Sequence, residues 1–395
     1  MRNLLIYHLV PFSISALLIG FSLLFISCLG LKPQEIKPEL IHVSGASPIF
    51  RGYNSNLTTE NNQANLAFSF KANNLTIFGS SEFNSSPYCP YFFLPDSSGI
   101  RAFGVGQGFH QSLSIFAECL AFEKEIEGKS ITLILSPGWF ESNGTNANSF
   151  IKFADKNLLN RIILNSNIPK NYTEYLGKYI YENQDEMESL SYQMEFLKTQ
   201  YQNKLPVSIS SLFGEMNQKI RDVIPVSYSF DTVVYLINDT SKTLSETKEN
   251  VDYDIIEKSL RTKFINSVTN NPYFVNDDYY SKYMKGGGKR FVKPLYLSNN
   301  ELADFEILVD FLTEKNVKLS VVMQPLNPYF YDNLEAMNPI LDKVNSVLDE
   351  KEIPFLNLFT TETKNYEPGT LTDIMHFGNL GWTKVNSFLD SLNHE

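Results

Sequence analysis

The sequence predicts an α/β protein, a sheet of buried parallel strands with helices on its faces. Three observations lead there. Short apolar runs recur, each closed at once by turn residues, as buried parallel strands require. Stretches of helical periodicity lie between them. Strand and helix alternate on both sides of a polar middle region, at about 145–298, that is rich in helix formers.

Taken in order, the chain begins with Leu4 to Leu31, a stretch of 28 residues without a formal charge. About 20 apolar residues span a bilayer, so this is long enough for a membrane helix. Arg2 and the amino terminus are the only cations ahead of it, which keeps the terminus cytoplasmic and sends the chain after Lys32 outward. A cleaved signal has a shorter apolar core, about 7–15 residues. Phe25-Ile26-Ser27-Cys28 loosely matches a lipidation box, so a lipoprotein attached at Cys28 is a second reading and plain secretion a third. All three place the remainder outside the cytoplasm. Residues 1–31 are read as an anchor, 32–65 (rich in Asn, Pro and Ser) as a tether, and 66–395 as the folded domain.

Strand signals come at Leu75-Thr76-Ile77-Phe78, Ile131 to Leu135, Lys318 to Met323, and Pro354 to Leu358. A helix is expected from Glu301 to Glu314, where Leu302, Phe305, Leu308 and Leu312 recur at helical spacing, and another from Asn333 to Glu350. Glu174 to Lys204 and Ser241 to Phe264 are polar and helix-prone, and Gly286-Gly287-Gly288 marks a break. The middle region therefore reads as a largely helical insertion in the α/β domain.

Composition narrows the function. The net charge of −11 excludes holding nucleic acid or anionic lipid by bulk electrostatics. With 30 Phe and 21 Tyr the chain has ample material for a core, which excludes a disordered protein. Three Cys cannot build a disulfide scaffold or a Cys-based zinc site. An extracytoplasmic location permits a Cys89–Cys119 disulfide without requiring one. Of the five His, His8 lies in the apolar segment, His42 in the tether and His394 at the C-terminus. A histidine-dependent mechanism must use His110 or His376.

Gly79-Ser80-Ser81-Glu82 directly follows the first strand. A serine on such a turn projects into the crevice where α/β proteins bind ligands, and the glycine lets the backbone turn sharply. The competing reading is a polar turn that caps the next helix. In Asp373-Ile374-Met375-His376 a carboxylate three residues before a histidine can orient the ring, whose other nitrogen then takes a serine proton. Read alone, that pair is equally a capping Asp beside an incidental His. Gly106-Gln107-Gly108-Phe109-His110 supplies a backbone N–H at Gly108 suited to an oxyanion hole, or simply a glycine-rich turn.

A Gly-x-Ser turn, a Gly turn one unit later and a terminal Asp-x-x-His resemble, in that order, the blocks of SGNH (GDSL-like) hydrolases. A narrower resemblance rests on Phe78 to Glu82, on Gly106-Gln107-Gly108 with Gln111-Ser112-Leu113, on Leu135-Ser136-Pro137-Gly138-Trp139-Phe140, and on Asp373 to Gly378 with Gly381-Trp382. Pro325-Leu326-Asn327 and Tyr331-Asp332 fit as well. Together these resemble the DltD family of D-alanyl-lipoteichoic acid biosynthesis, over essentially the whole chain.

The resemblance implies a flavodoxin-like three-layer αβα sandwich of SGNH type. It implies Ser81 as nucleophile, with Ser80 as the less favoured alternative, His376 as base and Asp373 as its orienting partner. Gly108 and Ser81 would donate the oxyanion N–H groups. It further implies a membrane-bound O-acyltransferase, a D-alanyl carrier protein and a teichoic-acid-like acceptor as partners, with no metal or organic cofactor. One departure stands out. The family's third block reads Ser-Pro-Gln-Trp-Phe, and Gly138 occupies the Gln place, removing a side-chain amide. Two other functions stay open: an esterase or O-acetyltransferase acting on another surface polysaccharide, and a non-catalytic subunit of the acylation machinery. The acidity sits awkwardly with a polyanionic acceptor, unless a local basic patch such as Lys285, Lys289 and Arg290 offsets it.

Overall fold

In the computed structural model, the described residues are 66, 69–70, 75–83, 86–142, 144–187, 191–202, 251–265, 267–268 and 271–393. The expected membrane segment and the tether lie outside them, as does 203–250 of the middle region. Among the described residues no helix is long and apolar enough to cross a membrane.

Five parallel strands form the central sheet: β1 (Leu75–Gly79), β2 (Ala102–Gly106), β3 (Ser130–Leu135), β5 (Lys318–Met323) and β7 (Phe355–Asn357). Their spatial order is β2-β1-β3-β5-β7. This is the doubly wound order of a flavodoxin-like sheet. It reverses between β1 and β3, and ligands bind outside the carboxyl ends of the strands at such a point. Two short strands, β4 (Arg290–Phe291) and β6 (Tyr331–Asp332), pair separately.

The strands are buried on both faces, so their sequences run nearly continuously apolar instead of alternating. Ile77, Ile134 and Val322 face one cluster, together with Tyr91, Trp382, Val385 and Leu389. Phe78, Leu133, Val321 and Met323 face a larger cluster with Leu113, Phe116, Phe305 and Leu308. Helices thus cover both faces. On the smaller side lie α1 (Pro90–Ser97), opened by a proline at its first position, and α11 (Asn379–Asn393). On the larger side lie α2 (Ser112–Ala121), buried at every residue, and α9 (Asn300–Glu314). Asn299 caps α9 by accepting from the N–H groups of Glu301 and Leu302, and its own side-chain amide donates to the Phe140 carbonyl. The remaining amphipathic helix of this half, α10 (Asn338–Glu350), buries Ile340, Leu341, Val344, Val347 and Leu348.

The middle region is largely helical where it is described, the exception being its last part, which carries β4 and irregular chain. After β3 come α3 (Pro137–Glu141), α4 (Ala147–Phe153), α5 (Lys156–Leu164), α6 (Lys170–Asn183) and α7 (Tyr192–Tyr201). Asn146, Asp155 and Ser191 cap α4, α5 and α7 through their side chains. The expected single run from Glu174 to Lys204 is thus two helices, α6 and α7. They pack closely because Gly177 has no side chain to meet the Leu197 carbonyl. Helix α8 (Tyr253–Ile265) lies against α11, and the Tyr253 hydroxyl donates to Asp390 at 3.3 Å. Cys89 belongs to the smaller cluster and Cys119 to the larger, so the sheet stands between them and they form no disulfide.

Candidate active site

The C-terminal ends of β1, β2, β3 and β5 meet at one edge. The strands approach closely there because Gly106 is a glycine: a Cβ at Gly106 would fall on the Gly79 carbonyl. Gly79 in turn opens the bend that carries Ser80, Ser81 and Glu82. These three side chains diverge. Ser80 is buried, and its hydroxyl donates to the Gln107 carbonyl at 3.1 Å. Ser81 is exposed, and its Oγ lies 3.0 Å from Nε2 of His376. Glu82 is buried again, and its carboxylate accepts the Ser80 N–H.

His376 is held by Asp373 through both carboxylate oxygens. Oδ2 accepts from Nδ1 of the ring at 2.7 Å, while Oδ1 accepts the N–H groups of Met375 at 2.8 Å and His376 at 2.7 Å. The turn therefore fixes backbone and ring together. The loop after β5 fixes the turn: the Gln324 side-chain amide donates to the Met375 carbonyl, and the Asn327 N–H donates to the Ile374 carbonyl at 3.2 Å. A bridge between Leu371 and Phe377 closes the base of the same loop.

The electrostatics follow from these contacts. The Asp373 hydrogen bond raises the His376 pKa above its ordinary 6.5, against the opposing pull of burial, and the Asp373 and Glu82 charges add to the rise. Burial works against ionised Asp373. Its hydrogen bonds from the His376 ring and from two backbone N–H groups prevail and hold its pKa below the ordinary value. With Nδ1–H donated to Asp373, Nε2 is left to accept the Ser81 hydroxyl proton. Burial pushes the Glu82 pKa up, with hydrogen bonds and the two histidines opposing.

The other sequence candidates fall around this centre. Gly108 lies in the turn after β2, one residue past the carbonyl that holds Ser80, and a Cβ there would meet nothing within 4 Å. Phe109, beside it, is exposed and adopts φ 71°, a left-handed conformation uncommon for an aromatic residue. Gly138 sits in the first turn of α3, where a Cβ would make ordinary contact with Ser136 Oγ at 3.5 Å. His110 is fully buried behind the turn. Its Nδ1 faces the Gly79 carbonyl at 3.1 Å and its Nε2 faces Glu118 at 3.1 Å. His376, the base that the resemblance implies, lies within hydrogen-bond reach of Ser81.

Three residues at the site escaped sequence reasoning in their actual roles. Glu82 and Glu118 are buried acids that bind the turn and its supporting histidine, and Gln324 positions the His376 loop. Nothing in a lone Glu or Gln marks such a role. Among the described residues no group of three or more His, Cys, Asp or Glu side chains could hold a metal.

The fold and this edge define an α/β protein with a hydrogen-bonded serine, histidine and aspartate at the switch point of a parallel sheet. Comparison with known proteins is more specific. One family model, described as DltD protein, matches residues 51–391. The Staphylococcus aureus protein DltD is 22% identical over 325 residues, which cover 78% of each chain. The Bacillus subtilis protein DltD is 21% identical over 346 residues, 80% of this chain and 81% of that one. The Lacticaseibacillus rhamnosus protein DltD is 21% identical over 313 residues, covering 72% and 69%. The chain belongs to the DltD family.

Proposed function

We propose that this protein transfers D-alanyl groups to a teichoic-acid-like polymer at the outer face of the membrane, through an ester on Ser81. The observation that carries this reading is the continuous series from Ser81 Oγ through the His376 ring to Asp373, with contacts of 3.0 and 2.7 Å. Ser81 Oγ attacks the carbonyl of an incoming acyl donor while its proton passes to Nε2 of His376. The bond to the donor's leaving group breaks, and that group takes the proton. A hydroxyl of the polymer then gives its proton to His376 and attacks the ester, which frees Ser81. N–H groups of Ser81 and Gly108 stabilise the oxyanion in both halves.

In this reading the domain is an SGNH-type three-layer sandwich, residues 66–395, carrying the helical insertion at about 145–298. Residues 1–31 anchor it and 32–65 tether it, with a lipid at Cys28 as the alternative anchor. The partners are a membrane-bound O-acyltransferase and a D-alanyl carrier protein, and no cofactor takes part. The runner-up is an esterase or O-acetyltransferase acting on another surface polysaccharide, and a subunit that only organises these partners is the reading that the Gly138 departure favours.

The test is complementation. Cells lacking the gene should regain polymer-bound D-alanyl ester with the natural chain, and neither Ser81→Ala nor His376→Ala should restore it. Restoration by His376→Ala would favour the organising subunit. Restoration of acetyl rather than D-alanyl ester would favour an O-acetyltransferase.

A further inference from the structure

Between Asp278 and Glu301 the chain holds no acidic residue and five cations: Lys282, Lys285, Lys289, Arg290 and Lys293. In a protein of net charge −11 this is a local reversal of sign. The segment is a strap pinned to the fold by few points. Met284 and Val292 are buried, Arg290 N–H donates to the Phe330 carbonyl at 3.0 Å, and Val292 N–H donates to Asp332 at 2.9 Å. Two of its cations are committed. Lys289 pairs with Asp332 at 3.0 Å and Arg290 with Glu141 at 2.6 Å, so these two of the three residues suspected of serving a polyanion instead tie the strap down. Lys282, Lys285 and Lys293 are exposed, and among the described residues no carboxylate forms an ion pair with them.

The same strap displays large apolar side chains to solvent. Tyr283 is 64% exposed, Phe291 65%, Tyr296 72% and Leu297 61%. Singly, such residues mean little. Four within fifteen residues, interleaved with lysines that no carboxylate pairs among the described residues (Lys282 lies over the Tyr283 ring, 4.9 Å from its centroid), have the composition of a surface that meets a membrane interface. Aromatic rings settle at headgroup depth there, and cations meet anionic lipid. A phosphodiester polymer would satisfy the lysines but offers little to four exposed apolar side chains.

The strap also borders the site. Glu141, which holds Arg290, ends the α3 helix in which Gly138 lies. Asn327 joins the chain just before the strap to the His376 turn: its side-chain amide donates to the Tyr273 carbonyl at 2.7 Å and its N–H to the Ile374 carbonyl at 3.2 Å. Phe109, 67% exposed, fringes the site at the β2 end.

We propose that the strap from Lys282 to Leu297 is a docking surface for the anionic bilayer, turning the Ser81 edge of the domain toward the membrane plane. The occupant follows from charge complementarity and from the chain outside the described residues. An uncharged segment of 28 residues, separated from the domain by 32–65, keeps the domain within reach of a bilayer. The rest of the acidic surface is repelled by anionic lipid, so the strap sets the orientation. This proposal rests on the reading of residues 4–31 as a membrane anchor and is independent of the serine chemistry.

The test uses the full chain in lipid nanodiscs, made of phosphatidylcholine alone or of equal parts phosphatidylcholine and phosphatidylglycerol. Backbone hydrogen exchange is followed in peptides covering 279–298. Each cation near the surface contributes about a fivefold preference for anionic lipid. Exchange in the strap should therefore slow about fivefold or more on the anionic discs, while α10 is unaffected. High salt should abolish the difference, and so should the triple variant Lys282→Glu, Lys285→Glu, Lys293→Glu. Equal exchange in both kinds of disc overturns the proposal. So does slowing on neutral discs that appears only when soluble polyglycerol phosphate is added, which would assign the strap to a polymer. A chain that does not co-elute with discs at all overturns the anchor reading and this proposal with it, whereas one that co-elutes without strap protection overturns this proposal alone.

Discussion

Nε2 of His376 lies 3.0 Å from Oγ of Ser81, two residues separated by 295 positions in the chain. Each is brought there by a different device. Ser81 comes from the bend that Gly79 opens at the end of β1, and His376 from a turn whose carboxylate binds both ring and backbone. Because both devices are anchored in the sheet and its loops, the contact is preformed and needs no substrate to assemble it.

The Asp373 hydrogen bond raises the His376 pKa above 6.5. A general base works unprotonated, so kcat/KM should climb through that raised value as the pH increases. Asp373→Asn removes the cause, so the ascending limb should move to lower pH while the plateau falls by about 10⁴. A limb that stays in place in the variant would mean that another group sets it.

Gly138 offers a gain-of-function test. The position has room, since a Cβ there would meet only Ser136 Oγ at 3.5 Å. An oxyanion donor contributes about 2.7–4 kcal/mol. Gly138→Gln should therefore fold normally and raise kcat by about tenfold or more. An unchanged rate would indicate that the Ser81 and Gly108 N–H groups already suffice.

Gly106→Ala probes the close approach of β1 and β2. The new methyl would collide with the Gly79 carbonyl, which is backbone in a sheet and cannot swing aside. Overpacking of this kind costs about 1–3 kcal/mol. Urea unfolding should show a lower midpoint at unchanged slope, and the variant should label more slowly with a serine probe.

A buried acid pair makes a separate prediction about stability. Burial raises the pKa of Glu301, with the neighbouring Asp304 charge adding to it, and burial also raises that of Asp304 against its hydrogen bond from Tyr175. The folded protein thus keeps protons that the unfolded chain releases near pH ~4. Stability should fall as pH rises from about 5 to about 9, and the same sign applies to the raised His376. Glu301→Gln keeps the acceptor for the Ser112 N–H, bonded at 3.0 Å, and should flatten the dependence. A dependence of the same steepness in the variant would assign it elsewhere.

Much of the fold was legible because burial on both faces writes itself as apolar runs: β1, β3, β5 and β7 fall where those runs are, and α9 follows its leucine spacing. Strand β2 was not, since Ala-Phe-Gly-Val-Gly carries two glycines, which are depleted in strands and serve here for close packing against Tyr91 and Gly79. The expected helix from Asn333 begins at Asn338, because Asn333 takes a left-handed φ of 66° and a 3₁₀ turn intervenes. At the site, Ser81, Asp373 and His376 had positions that sequence order could suggest. Glu82, Glu118 and Gln324 did not: buried acids and amides look like surface residues until their partners, far away in the chain, are known.

The most direct measurement is covalent labelling with a fluorophosphonate, followed by peptide mass mapping. A single adduct is expected on Ser81, absent in Ser81→Ala, retained in Ser80→Ala and slowed at least about 10³-fold in His376→Ala. An adduct on Ser80, or labelling undiminished in His376→Ala, would contradict this expectation.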